Sequence, residues 1–202
     1  DFSSSNPEVA LVNSLGEAEI TSQGNTTITA TLAGVEAEGS LTIQSLGDFN
    51  TAPVPTLDAS DVISIFSDAY TNVPVDFFNG YWEPWQTTES ADFEVNGDNI
   101  LSYVNFNFVG NQFANPTING SSMSSIHFDV YVPSGTTSPE LKITIRDFGA
   151  DGSDGGGDDT DAEMTFSGAD LISGQWNSIE LSISGMANKD RLGLLIYDGL
   201  GS

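Results

Sequence analysis

Leu141-Lys142-Ile143-Thr144-Ile145-Arg146-Asp147-Phe148-Gly149-Ala150-Asp151-Gly152-Ser153-Asp154-Gly155-Gly156-Gly157-Asp158-Asp159-Thr160-Asp161-Ala162-Glu163-Met164-Thr165-Phe166 sets one alternating run before an Asp/Gly stretch and another after it. Leu141, Ile143 and Ile145 recur with period two and Lys142, Thr144 and Arg146 fall between them, the pattern of a strand with one buried face. Residues 147–163 then read as a long hairpin connection. Its glycines permit left-handed backbone, and its carboxylates cannot crowd together without a cation or full hydration. Two readings stand: a solvated acidic loop, or a calcium-ordered one in which Asp147, Asp151, Asp154, Asp158 and Asp159 supply oxygens on a sharply turning backbone. An EF-hand is excluded, because the spacing from Asp151 to a Glu at loop position twelve is wrong and no helices flank the loop.

The same alternation extends in both directions. Ile126, Phe128, Val130 and Val132 form an inward row with His127, Asp129 and Tyr131 opposite, and Ile179, Leu181 and Ile183, then Leu192, Leu194 and Ile196, continue the set. Residues 100–109 alternate as one strand, with Val104, Phe106 and Phe108 on one face and Tyr103, Asn105 and Asn107 on the other. Residues 62–66 are almost continuously apolar, which predicts a strand buried on both faces. Short runs between turn residues, with no helical period, predict an all-β protein built as an antiparallel sandwich. Further β-type runs lie at residues 9–12, 18–20, 26–32 and 39–43. Pro53 and Pro55 make residues 47–56 read as an extended linker, which divides the chain into residues 1–46 and 57–202.

Charge narrows the partners. Twenty-nine acidic residues stand against four basic ones, a net charge of −25. Nucleic acid binding needs Lys and Arg to displace counterions, so it is excluded. The same field repels anionic polysaccharides and acidic membrane surfaces, which leaves neutral glycans. There is no cysteine, hence no disulfide or thiol chemistry, and no apolar run of 18 residues. Twelve Phe, five Tyr and three Trp in patterned runs argue for a folded acidic protein rather than a disordered one. The opening Asp1-Phe2 without an initiator Met reads as a piece of a longer precursor.

Catalysis has little support. With so many acids, some carboxylate pair satisfies any spacing by chance. His127 is the single histidine, Asp129 sits two residues along the same strand, and neither a nucleophile elbow nor a phosphate loop is present. Sugar binding is the stronger case. Phe77-Phe78-Asn79-Gly80-Tyr81-Trp82-Glu83-Pro84-Trp85-Gln86 crowds aromatics into a stretch whose Gly and Pro predict an irregular surface loop. Pyranose rings present flat C–H faces to indoles, so Tyr81, Trp82 and Trp85 are candidate ligand contacts; the alternative is that Trp82 or Trp85 plugs the end of the sandwich. Asn105, Asn107, Asp129, Tyr131, Thr144 and Arg146 would add hydrogen bonds to sugar hydroxyls if their strands share one sheet. For Arg146 a structural ion pair with Asp129 or Asp147 is the other reading.

"DFGADGSDGGGDDTDAE", with "DVISIFSDAYTNV" upstream and "GQWNSIELSIS" downstream, resembles the β-sandwich modules attached to laminarinases of glycoside hydrolase family 16 and those of surface glycan-binding proteins. The resemblance covers residues 53–202. It implies a jelly-roll carbohydrate-binding module that is not catalytic, a β-1,3-glucan such as laminarin as ligand, and a structural calcium. It aligns Trp85 with a shared tryptophan, Trp176 with a structural one, and Gln112 and Phe113 with a family loop. Asp68 offers a second calcium position. Residues 1–45 resemble the C-terminal part of a bacterial immunoglobulin-like domain, a spacer with no site. Together these imply a monomeric module of a longer chain, extracellular or on the outer-membrane surface. The competing expectation is a calcium-stiffened adhesion or spacer protein that binds no glycan.

Overall fold

The computed structural model describes residues 1–22, 24–45, 51–80, 82, 84–95 and 97–200. Its chain divides into two compact units, Asp1–Asn50 and Thr51–Ser202. Residues 47–50 of the expected linker lie outside the described residues, and 51–56 carry no strand or helix. The regular structure of both units is almost wholly antiparallel strand. Among the described residues no helix is long and apolar enough to cross a membrane.

In the first unit β1 (Phe2–Ser4), β5 (Val35–Glu36) and β6 (Leu41–Ser45) all pair with the long β4 (Gly24–Leu32), while β2 (Ala10–Val12) pairs with β3 (Ala18–Ile20). Val9, Ala10 and Ile28 are buried together with Thr26. The Thr26 hydroxyl accepts the Asn6 N–H at 3.0 Å and meets Ser4 Oγ at 2.8 Å, which satisfies that buried polar group.

The second unit holds a hairpin of β7 (Glu89–Val95) and β8 (Asp98–Val104), then β9 (Phe108–Gln112), β10 (Ser125–Val132), β11 (Glu140–Asp147), β12 (Thr160–Ser167), β13 (Gln175–Ser182) and β14 (Leu192–Asp198). Strands run β12-β11-β14-β9 in one sheet, and β10 pairs with β13 in another. The alternation forces one face of each sheet inward: Ile143, Ile145 and Leu195 from the first meet Val132, Ile179 and Leu181 from the second, with Phe113 and Phe166 in the same cluster. Burying such a side chain stabilises the fold by about 1.5–3 kcal/mol each. Ile126, Phe128 and Val130 pack on this core as expected.

Three expectations about strands are corrected. Residues 62–66 do not form a strand; they make one bridge, Ser64 to Asn72, fixed by Ser64 Oγ donating to Asn72 Oδ1 at 2.6 Å, while Ile63 and Ile65 lean on the core and Phe66 is exposed. Residues 100–109 are two strands, not one, because Asn105 adopts φ +52° between them, a conformation Asn tolerates better than most residues. Tyr103 therefore turns inward, stacking on Phe106 at 6.4 Å, instead of joining an outward polar row. Finally, Leu192, Leu194 and Ile196 do not share a face. Asp147 pairs with Leu192 and Arg146 with Leu194, so Gly193 is an extra bulge residue, and Leu192, Leu195 and Tyr197 are the residues that reach the core.

Candidate functional site: a tryptophan cleft beside the β9 edge

Strand β9 would be an open sheet edge, and residues 76–80 close it. Asp76 N and Phe77 N both donate to Gln112 O, Gly80 N donates to Gly110 O at 2.7 Å, and Asp76 Oδ2 accepts Ala114 N at 2.6 Å. The chain then turns: Trp85 N and Gln86 N both donate to Trp82 O at 3.0 Å. This turn lays the Trp82 indole over Gly110, where a Cβ would stand 2.6 Å from the indole Cζ3. The absence of a side chain at Gly110 is thus what seats the ring. Trp82 also packs against Phe108 with centroids 5.8 Å apart, on the face of the four-stranded sheet that points away from the core.

Asn107 holds the far end of the turn. Its Nδ2 donates to Trp85 O at 2.8 Å and its Oδ1 accepts Thr87 N at 2.9 Å and Phe108 N at 2.8 Å. Between these supports lies a cleft of about 730 Å³ lined by Trp82, Asn79, Gln86, Thr88, Ser90 and Asn105, with Glu89 alongside. One aromatic plane and a rim of uncharged hydrogen-bonding groups can bind a flat, hydroxyl-rich ligand. Trp85 stands outside the cleft with 72% of its surface exposed. Neither indole belongs to the sandwich core. Tyr81 lies outside the described residues.

The other expected ligand contacts do not form one site with this cleft. Gln112 is on the outward face of β9, in register with Leu194 and, one strand further, Arg146. Arg146 is committed to carboxylates: Nε and Nη2 donate to the two oxygens of Asp161 at 2.8 Å, and Nη1 to Asp154 Oδ1 at 2.8 Å. Those hydrogen bonds push the guanidinium pKa above its already high value. Its ion-pair partners are therefore Asp161 and Asp154, with Asp159 Oδ2 further off at 4.0 Å, and not Asp129 or Asp147. Asp129 and Tyr131 sit on the outward face of β10, in the other sheet, so the expected polar row is corrected: it is split between two faces pointing away from each other. Ser178 Oγ donates to Asp129 there, and Tyr131 meets Trp176 edge-to-face at 5.6 Å. Trp176 is partly buried on that outward face, packed against Tyr131, and lies outside the core cluster.

In the 147–163 loop most carboxylates have protein donors. Asp147 is fully buried; its Oδ1 accepts Gly149 N at 2.9 Å and its Oδ2 accepts Arg191 N at 2.7 Å. Asp158 Oδ2 accepts Ala150 N at 2.6 Å and Asp151 N at 3.2 Å, and these amides hold its pKa below the usual carboxylate value. Asp151 caps Ser153 N at 2.9 Å, Asp159 Oδ2 accepts Gly155 N at 2.7 Å, and Arg191 Nη1 binds Gly149 O at 2.6 Å. Asp68 belongs elsewhere: it grips Asn99 through N at 2.6 Å and Nδ2 at 2.9 Å, which lowers its pKa. Two observations suit a hard cation in the loop. Asp159 Oδ1 is buried with no hydrogen-bond partner, and Asp151 Oδ2 and Asp158 Oδ1 both face the space above Gly156, 2.7 and 3.2 Å from where a Cβ would be. Among the described residues, however, no three His, Cys, Asp or Glu side chains are grouped as a ready metal site.

The cleft residues that the sequence did not single out are Asn79, Gln86, Thr87, Thr88, Glu89 and Ser90. Their signal was the polar flank of the aromatic stretch, Asn79-Gly80 before it and Gln86-Thr87-Thr88 after it. Comparison with protein-family models, curated proteins and solved structures finds no match to this chain.

Proposed function

We propose that residues 57–202 form a non-catalytic module that binds a neutral polysaccharide, best matched by a β-1,3-glucan such as laminarin, at the Trp82 cleft and across the Trp85 plane. The observation that carries this reading is Trp85, an indole 72% exposed on a turn fastened by Trp82 O and Asn107. So large an apolar plane left in water has no packing role, and a pyranose C–H face complements it. Net charge of −25 favours a neutral ligand, and the resemblance to laminarinase-linked modules selects the β-1,3-glucan and the jelly-roll assignment. Residues 1–46 act as an immunoglobulin-like spacer on an extracellular or outer-membrane surface. A shallow site implies weak binding, with Kd on the order of micromolar to millimolar, about −4 to −8 kcal/mol. The test is calorimetric titration with laminarin, mixed-linkage glucan, cellulose and alginate. A folded Trp82→Ala/Trp85→Ala protein that keeps wild-type affinity for laminarin defeats the proposal.

A second reading, favoured by the unpartnered Asp159 Oδ1, is that calcium stiffens the 147–163 loop, with Asp151, Asp154, Asp158 and Asp159 as its holders. Bound calcium supplies positive charge that relieves carboxylate repulsion. Chelation at matched ionic strength then lowers Tm, since a native-state ligand at 100 to 1,000 times its Kd adds roughly 3–4 kcal/mol. An unchanged melting curve removes calcium from the account.

A further inference from the structure

We infer that Glu89 is the residue by which the cleft chooses its glycan: its carboxylate accepts hydrogen bonds from ligand hydroxyls and repels a sugar unit that carries a carboxylate of its own. The inference rests on the polysaccharide reading above and adds to it the group that selects. Glu89 is exposed, lines the cleft together with Trp82, and is the one ionisable residue in the described lining.

Its place is set by backbone that is already fastened, so a ligand reaches it without rearrangement of the cleft. Glu89 opens β7 opposite Val104, the last residue of β8. The two residues before it are tied down: Thr87 N donates to Asn107 Oδ1 at 2.9 Å, Thr87 Oγ1 to Asn105 O at 2.8 Å, and Asn107 N to Thr88 Oγ1 at 3.0 Å.

Much of the remaining lining is engaged within the wall itself. Gln86 Nε2 donates to Asn79 Oδ1 and Thr88 O, and Asn79 Nδ2 donates to Ser90 Oγ at 3.3 Å. The Glu89 carboxylate, by contrast, has no hydrogen-bond or ion-pair partner among the described residues. No cation is left over to balance it. Lys142 pairs with Glu163, Arg146 with Asp154 and Asp161, while Lys189 binds Met123 O and Arg191 binds Gly149 O.

An ionised carboxylate can only accept, and it accepts more strongly than a neutral oxygen does. A sugar hydroxyl in the cleft supplies the donor. A protonated amine supplies a donor and an opposite charge, whereas a uronate places a second negative charge in the same cleft. Water screens an exposed group, so each effect is modest, yet it acts at the ligand while the net charge of −25 is spread over the whole chain. The local and the overall contributions can therefore be separated.

The test is calorimetric titration of the whole chain with β-1,3-gluco-oligosaccharides of one length that carry a hydroxyl, an amino group or a carboxylate at C6 of every unit. The wild type is expected to bind the amino form most tightly and the carboxylate form least. Glu89→Gln should shrink the affinity ratio between those two forms by about 4-fold or more, about 2-fold from each charge contact. Glu180→Gln removes the same single charge beside His127 in the other sheet and should leave that ratio nearly unchanged. A ratio that both substitutions lower alike, or that Glu89→Gln does not move, overturns the inference and leaves the polysaccharide reading standing as long as the wild type binds the hydroxyl form. Failure of the wild type to bind the hydroxyl form overturns both. The side-chain carboxyl carbon of Glu89 gives an independent readout by NMR: a shift on saturation with the hydroxyl form supports the contact, and an unmoved resonance excludes it.

Discussion

The Trp82 indole rests on Gly110, with the space of the missing Cβ filled by the ring. That contact couples the sheet to the cleft. Gly110→Ala must push the indole outward, because the obstructing atoms are the far end of a side chain and not backbone. We expect a loss of about 1–3 kcal/mol of stability from overpacking. Tryptophan emission should shift as the ring leaves Phe108, and laminarin binding should weaken. Unchanged emission and Tm together would contradict the seating described for Trp82.

The acidic loop predicts a limb of acid instability. Asp158 has a depressed pKa because Ala150 N and Asp151 N bind its carboxylate, so protonation is harder in the folded state than in the unfolded one. Its contribution is therefore full above about pH 4, the ordinary aspartate value, and is lost as pH falls through the lower folded value. The Tm difference between wild type and Asp158→Ala should be constant from pH 5 to 7 and should shrink as pH falls below about 4. A difference that stays the same on acidification would mean the carboxylate charge plays no part.

Much of the second unit was legible because alternation is a local signal. Ile126 to Val132, Leu141 to Ile145 and Ile179 to Ile183 each keep period two without interruption, and each packs its apolar row on the core. The failures have separate physical causes. Gly193 looks like any strand residue in sequence, yet as a bulge beside Phe148 it reverses the parity of everything after it; a Cβ there would come within 2.5 Å of the Phe148 ring. Asn105 reads as a polar strand position and is instead a left-handed break. Placing Asp129 and Tyr131 beside Arg146 required knowing which strands share a sheet, and strand partnership is non-local. The aromatic stretch marked the cleft, but the way Asn79 Oδ1 and Thr88 O converge on Gln86 Nε2 to shape its wall is something no spacing reveals.

Behind the cleft, Tyr103 joins β8 to β9 and to residue 78. Its hydroxyl donates to Phe78 O at 2.5 Å and accepts Asn111 Nδ2 at 2.7 Å. Burial pushes its pKa up to about 12, opposed in part by the Asn111 bond. A phenol held neutral by folding contributes stability that is full below pH 10, its unfolded value, and is lost as pH rises through about 12. Tyr103→Phe should cost about 1–2 kcal/mol at pH 7 through the lost hydrogen bonds, yet show a shallower fall between pH 10 and 12. Urea midpoints across that range provide the check, and parallel curves for the two proteins would exclude the assignment.

Trp85 and Trp82 differ in how they are held, and their truncations should separate binding from stability. With 72% of its surface in water, Trp85 has little folded-state packing to lose, so Trp85→Ala should change the unfolding free energy by no more than about ±0.5 kcal/mol, as is typical of surface changes, while weakening laminarin binding. Trp82→Ala removes a ring packed on Gly110 and Phe108, and should cost about 1–3 kcal/mol as well as binding, less than a fully buried tryptophan would. Salt distinguishes the two sources of ligand choice. Laminarin is uncharged, so its affinity should be nearly constant from 50 to 500 mM NaCl on the screening lengths of about 14 to 4 Å that this range spans. Alginate is repelled by the net charge of −25, and any affinity for it should rise with salt yet stay below that for laminarin, because screening weakens the repulsion without removing Glu89 from the cleft. Alginate binding that overtakes laminarin at high salt would mean that charge alone, and not the chemistry of the cleft, sets the preference.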